Sequence, residues 1–417
     1  MSNEQKNMHY AILHDKQIKK FSVYGFLKDL RFFEPYLLIY LMSNDISLLE
    51  IGFLFSIREV IINVFEVPSG LIADYFGRKK ELCACFIFYI ASFILFFFSK
   101  NFLIAAIGMS CFGMGEALRS GTHKAMIFTY LEKMNWQSEK TFVYGKTRSS
   151  SLAGSALSSL IGILIILNIP SSSYIFLAST IPYILDFILI LSYPSYLDVK
   201  MVQENVPITQ MFVILGRSLK RNKNLRHILA NEGLFEGILS TIKDLIQPIL
   251  QGLIVGSGFL LVANLSSEDN LNIILGLVYC GINILCATAS RRSYHLKKWN
   301  TGVFWINLFM ILLAVFLALF GIPKQSVILT IIVFLLIRIM QNYRKPLYVD
   351  QLDEYMEKSE RATMLSLASQ LKSIVVVFLA PLVGYVADVL GLQMAMFFLA
   401  ILVFVLIPFV LLSADKK

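Results

Sequence analysis

Residues 70–80 read GLIADYFGRKK, a compact turn with two glycines and one aspartate that ends in three consecutive cations. Overlapping it on either side are the windows 47–72 and 79–99, each apolar enough to cross a bilayer, whose hydrocarbon core takes about 20 apolar residues per helix. Gly70 and Gly77 permit tight helix ends. Asp74 can accept hydrogen bonds from the start of the following helix, and Arg78, Lys79 and Lys80 hold the turn in the cytosol, where loops collect Lys and Arg. The stretch therefore reads as an inner loop joining two membrane spans.

Outward from that turn the same grammar repeats. Of the 417 residues 57% are hydrophobic and 16% charged, and a mean hydropathy of +0.68 lies outside the range of ordinary soluble chains. Twelve apolar windows follow one another at 21–43, 47–72, 79–99, 103–131, 147–168, 173–194, 226–257, 269–290, 301–321, 325–348, 364–388 and 392–413. With both termini cytoplasmic, the inner segments hold clusters such as Lys16 to Lys20, Arg78 to Lys80, Arg217 to Lys223, Arg291 to Lys298 and Arg344 to Arg361. The outer turns keep only Lys100 and Lys324. A single invented or omitted helix would scramble that alternation. The expectation is an all-α membrane protein of twelve transmembrane helices in two six-helix bundles. These comprise a cytoplasmic tail over 1–20, an N-terminal bundle over 21–195, a cytoplasmic linker over 196–225, a C-terminal bundle over 226–413 and a second tail over 414–417. Within the linker, Ile208 to Leu219 has helical apolar spacing beside Arg217, Lys220 and Arg221, which fits either a helix on the inner membrane surface or a plain connector.

Several function classes drop out at this point. The net charge of +9 is the inward bias itself, so nucleic acid is not an expected partner. The first twenty residues are polar and lack the apolar core of a signal peptide. The five cysteines all fall in apolar windows, and Cys83-Ala-Cys85 has no His or further Cys beside it, so they read as packing thiols with neither disulfide nor metal site. There is no G-x-S-x-G, Walker A or H-E-x-x-H sequence. No catalytic residue, metal or bound cofactor is expected, and an ion gradient is the natural energy source.

The two halves also match each other weakly. KAMIFTYLEK, Lys124 to Lys133, lies over KPLYVDQLDE, Lys345 to Glu354, each at the inner end of the fourth window of its half. Gly70, Asp74, Gly77, Arg78 and Lys79 resemble the G-x-x-x-D-x-x-G-R-[KR] signature of the major facilitator superfamily, in the position where that signature belongs. The resemblance covers nearly the whole chain. It implies two pseudo-symmetric bundles working by alternating access, with Glu66, Pro68, Gly70, Asp74, Gly77, Arg78 and Lys79 as gating residues. The wider Glu66-Val-Pro68 to Lys79 pattern, E-x-P-x5-D-x3-R-K, is similar to that of clostridial tetracycline efflux proteins and related bacterial exporters, and Glu59 matches an acidic residue they carry one heptad earlier. Two departures stand out. SSSLAGSALSSLIG at 149–162 has no proline where drug:proton antiporters show G-x3-G-P-x2-G-G, and Gly121 follows Arg119 at a shorter distance than usual.

Ionisable groups inside the windows carry the mechanistic expectation, because such groups are costly in a bilayer and face a cavity or a partner. At about 100° per residue, Glu59, Asn63 and Glu66 share one face of window two. Glu116, Arg119 and His123 share one of window four, and Glu232, Glu236 and Lys243 one of window seven. Glu34 beside Pro35 in window one and Arg338 in window ten join them. The expected substrate cavity is therefore Glu34, Glu59, Asn63, Glu116, Arg119, Glu232, Glu236, Lys243 and Arg338, with Glu59, Glu232 and Glu236 as proton-coupling candidates. Against this stand structural ion pairs: Arg58 with an acid of window one, Glu116 with Arg119, Glu236 with Lys243. Asp186 in window six lacks an evident partner.

The resulting expectation is a secondary active transporter in the bacterial cytoplasmic membrane, acting as a monomer. It would exchange protons for a small amphipathic or amphoteric compound moving outward. Uptake by proton symport is the alternative within transport, and a non-transporting receptor or assembly factor the alternative outside it.

Overall fold

The computed structural model describes residues 3–198, 223–322, 326–355 and 361–412. Every regular element among them is helical. Apolar sequence dictates this: hydrocarbon offers no hydrogen bonds, so a spanning segment has to satisfy its own N–H and C=O groups. The chain divides into two compact units, Met1–Leu37 with Ile61–Gln203 and Leu38–Val60 with Glu204–Lys417.

In the first unit α1 (Asn3–His14) and α2 (Lys16–Lys28) are followed by the 3-10 turn Glu34–Tyr36. The helix α3 (Leu37–Ser43), from Leu38 on, and α4 (Leu48–Phe76), as far as Val60, count with the second unit, while the rest of α4 with α5 (Arg78–Phe97), α6 (Phe102–Arg119), α7 (Thr122–Lys133), α8 (Lys140–Ile166) and α9 (Tyr174–Leu191) completes the first. The second contains α10 (Lys223–Ile242), α11 (Ile246–Ser257), α12 (Ser267–Arg292), α13 (Gly302–Phe320), α14 (Val327–Tyr355), α15 (Arg361–Leu390) and α16 (Leu392–Val410). The packing scheme repeats. In the first unit α2 lies on α8, and α5 on α6 and α9; in the second α10 lies on α15, and α13 on α14 and α16. Counted along each half, these are the same partners, first with fifth and third with fourth and sixth.

All twelve windows fall on helices, and nine helices among the described residues are long and apolar enough to span a bilayer, ten when the bent pair α10 and α11 is taken as one. Windows one and two account for the difference. Window one is interrupted between Lys28 and Glu34, where Pro35 has no N–H to continue a ladder. Window two, α4, carries Arg58, Glu59 and Glu66 close together. The linker helix expected over 208–219 and the tail 414–417 lie outside the described residues, as do Gly70 and the side chain of Asp74.

Side chains cap the helix ends that the sequence marks. Asp15 accepts from Ile18 N at 2.8 Å, Asn101 from Ile104 N at 3.0 Å, Ser266 from Asp269 N at 3.0 Å and Thr301 from Phe304 N at 3.2 Å. Two caps come from far away in sequence. Asp388 accepts from Leu48 N and Leu49 N at 3.0 and 2.8 Å and so starts α4. Asp198 accepts from Lys79 N at 2.9 Å and starts α5, beside Gly77, whose φ of +105° and missing Cβ leave room for that carboxylate.

Small residues let α4 approach α15 within the second unit. Ser56 donates to the Val377 carbonyl at 2.8 Å, and a Cβ on Gly52 or Gly384 would run into the backbone of Ala380 or Leu48 respectively. Gly384→Leu is therefore expected to lower the unfolding temperature of the detergent-purified protein, by about 1–3 kcal/mol in stability. Gly281→Ala, in α12 with nothing near its Cβ position, is expected to be neutral or slightly stabilising in the same melting experiment.

Candidate functional site

Charged residues of the spans gather into clusters inside each unit. In the first, Glu116 on α6 is clamped by two guanidinium groups. Arg31 Nη2 reaches its Oε1 and Arg119 Nη2 its Oε2, both at 2.6 Å. Arg31 Nε donates to Tyr183 Oη at 2.9 Å and Arg119 Nε to Tyr89 Oη at 3.1 Å, while Tyr183 donates to the Lys28 carbonyl at 2.8 Å. The Arg31 guanidinium also lies 5.3 Å from the Phe112 ring centroid. Both carboxylate oxygens and both Nε donors are satisfied, so this cluster ties α2, α5, α6 and α9 together. The expected Glu116–Arg119 pair is present, with Arg31 as a second partner. Glu34 is exposed in its 3-10 turn, and Asn63 is half-buried on α4.

The signature residues bond within the same unit. Arg78 Nη1 donates to Thr129 Oγ1 at 2.9 Å, and Lys79 Nζ to the Leu191 and Tyr193 carbonyls at 2.7 and 2.9 Å. Ser120 donates to Glu66 Oε1 at 3.1 Å, and Pro68 lies inside α4. Asp198, a residue that its polar local context did not single out, caps the start of α5. Buried Glu81 accepts from Thr122 Oγ1 at 2.7 Å. His123 stacks on Tyr24 with ring centroids 3.6 Å apart. Asp186 on α9 is fully enclosed, and neither carboxylate oxygen has a hydrogen-bond partner among the described residues.

The second unit contains Glu59, Glu232, Glu236, Lys243 and Arg338. Buried Glu59 accepts from Ser373 Oγ at 2.8 Å and pairs with Lys372 at 3.4 Å and Arg58 at 3.3 Å. Arg58 thus pairs with its own neighbour on α4. Glu232 pairs with Arg344, which also donates to Asn231 Oδ1 and lies 4.0 Å above the Phe235 ring. Glu236 Oε2 accepts from Gln341 Nε2 at 2.7 Å, and Arg338 Nη1 donates to the side-chain Oε1 of Gln341. The other carboxylate oxygen of Glu236, Oε1, is buried without a partner among the described residues.

Lys243 departs from the expected stripe. It pairs with Asp244 at 3.8 Å, because α10 ends at Ile242 and the chain bends by 43° into α11, which carries Lys243 off the face of Glu236. Asp244 accepts from Tyr279 Oη at 3.3 Å. Gln247 donates to that hydroxyl at 3.0 Å and accepts from Leu38 N at 2.8 Å, supplying a backbone partner where window one is broken. Sequence reasoning missed Arg344, Gln341, Asn231, Ser373 and Asp244. Arg344 was hidden by its company: beside Lys345 it reads as a loop cation, but α14 runs on to Tyr355 and buries it completely. Its spacing from Gln341 and Tyr348, i+3 and i+4, was the available signal.

No group of three or more His, Cys, Asp or Glu among the described residues could hold a metal ion, and the five thiols are free. Removing one partner of a buried pair strands the other. Arg344→Gln alone is expected to cost about 3–5 kcal/mol in unfolding stability. Adding Glu232→Gln should recover much of that loss in a double-mutant cycle read by thermal unfolding.

Comparison with known proteins agrees with this architecture. The profile of the Major Facilitator Superfamily matches residues 29–373. An uncharacterized MFS-type transporter, YxaM of Bacillus subtilis (strain 168), is 25% identical over 402 residues, covering 92% of each chain. Among solved structures, the nucleoside transporter NupG superposes with a TM-score of 0.76 at 12% identity over 97% of this chain and 100% of its own. A D-xylose-proton symporter reaches 0.63 at 12% identity, over 93% and 96%. The profile match through most of the length, on a helical fold these transporters share, means that the chain belongs to the major facilitator superfamily and is a multi-pass membrane transporter, not an enzyme.

Proposed function

We propose that the chain is a proton-coupled exporter of a small amphipathic compound, working by alternating access as a monomer with both termini in the cytosol. The observation that carries the coupling is Glu236. One of its oxygens is held by Gln341 and the other is buried with no donor among the described residues. A charge left so in a low-dielectric interior is unfavourable, so this oxygen is where a proton or the cationic group of a solute can bind, each displacing the other. Glu59 and Glu232, the other coupling candidates, already have cationic partners.

Outward direction is supported by the Glu66 to Lys79 pattern, which is similar to that of tetracycline exporters. Uptake by symport is favoured by one feature: α8 runs from Lys140 to Ile166 without the proline of drug antiporters, and a proton symporter for D-xylose shares the fold.

Everted membrane vesicles with an interior-pH dye separate these readings. Energised by respiration and challenged with tetracyclines, lipophilic cations, amino acids and sugars, vesicles with the wild-type chain are expected to become more alkaline inside on adding the substrate, and those with Glu236→Gln are not. A signal that Glu236→Gln leaves intact would remove Glu236 from the coupling path. Silence in everted vesicles together with proton uptake on solute addition to right-side-out vesicles would replace export by symport.

A further inference from the structure

A cavity of about 320 Å³ opens inside the first unit between α2, α7 and α8. Its volume is at the small end of the range for ligand sites. Four cations line it, Lys28, Arg119, Lys124 and Arg148, against one carboxylate, Asp29. Two of the cations are already matched: Lys28 by Asp29 at 2.7 Å and Arg119 by Glu116 at 2.6 Å. Lys124 and Arg148 form no ion pair among the described residues. The acids of neighbouring segments are taken, Glu132 by Lys140 at 3.6 Å and Glu139 by His9 at 2.8 Å.

The two unmatched cations come from different helices, Lys124 from α7 and Arg148 from α8. On α8, Tyr144, Thr147, Arg148 and Ser151 follow the i, i+3, i+4, i+7 pattern of one helix face. Lys124 on α7 lies 5.3 Å from the Tyr144 ring centroid. The remaining wall is flat and aromatic: the Tyr24 and His123 rings stack at 12° to each other, and Phe21 meets His123 edge-on. Gly25 leaves room for the Ser151 hydroxyl, which a Cβ would meet at 2.8 Å. Lys124 and Arg148 are exposed, so the anion-binding end is accessible while the aromatic end is enclosed.

We propose that this cavity binds the carboxylate or phosphate of a small organic solute with a flat body. The guanidinium of Arg148 takes the anion in its two-pronged fashion, Lys124 adds a second charge, and the Tyr24–His123 stack covers the ring. Its use rests on the transporter reading, since such a solute would be the cargo; its chemistry does not.

Titration calorimetry on the purified full-length chain, in maltoside detergent and in phosphatidylcholine nanodiscs, tests it with benzoate and phenyl phosphate as probes and neutral benzamide as control. Benzoate or phenyl phosphate is expected to bind and benzamide not. Arg148→Gln, with the unliganded melting temperature of the wild type as a check on folding, is expected to weaken binding about tenfold or more, and Arg148→Lys to lose less. No binding of either probe, or equal binding to Arg148→Gln, overturns the proposal, as does binding of inorganic phosphate alone. A lipid headgroup is the occupant instead if phosphatidylglycerol nanodiscs raise the melting temperature through Arg148 and neither probe binds without that lipid. Benzoate binding in a chain that moves no protons in vesicles would sink the proton-coupled reading and leave this site standing. Proton movement without probe binding would do the reverse.

Discussion

Hydrocarbon cannot accept or donate a hydrogen bond, and most of this structure follows from that single limit. Segments in the apolar windows close their own backbone ladders as helices, and at several interruptions a side chain takes over. Gln247 accepts from Leu38 N beyond the Pro35 break, Asp198 caps α5 at the Gly77 turn, and Asp388 caps α4. In each case the substitute partner is an amide or carboxylate brought in from another helix. The same limit explains why Gly52, Ser56 and Gly384 lie where α4 meets α15. Helices in lipid gain little from burying apolar surface against each other, so close backbone approach and interhelical bonds hold them.

Charge inside the spans obeys an equally strict rule, and most of the ionisable residues there are accounted for by partners. Glu116 is matched by Arg31 and Arg119, with aromatic hydroxyls taking the remaining donors. Arg344, Glu232, Asn231 and Phe235 form a second set, in which Arg344 Nε is buried without a partner among the described residues. Closed sets fix helix positions and have no capacity left for cargo. Open groups among the described residues include one oxygen of Glu236, the enclosed carboxylate of Asp186, Arg344 Nε, and the two unmatched cations of the cavity in the first unit. Function is therefore sought among the unmatched groups, because a transporter that released its cargo at one face needs a binding group that is not permanently occupied.

Helical class, span positions and the inner-loop signature were all legible in the chain, as was the repeat between its halves, which reappears as the same packing partners in both units. The Glu116–Arg119 pair was legible too, because i, i+3 spacing on one helix is a local property. The supposed Glu236–Lys243 pair failed for a local reason that spacing cannot reveal: the helix ends at Ile242 and the face turns with the 43° bend. Arg344 was read as a loop cation because its neighbours are basic, while its burial depends on how far α14 continues.

By itself, then, the sequence determined what the bilayer reads residue by residue: which segments dissolve in hydrocarbon, which loops carry the inward charge bias, and where a glycine must allow a turn. Those quantities are sums over neighbouring residues, so they survive without knowledge of the fold. Only the tertiary structure decided which polar groups satisfy one another, since Asp198 with the Lys79 amide, Ser373 with Glu59 and Gln341 with Glu236 are separated by roughly a hundred residues or more. Matching over that distance depends on which helices abut and at what rotation, and a difference of a few ångströms separates a group that is closed off from one that can still bind.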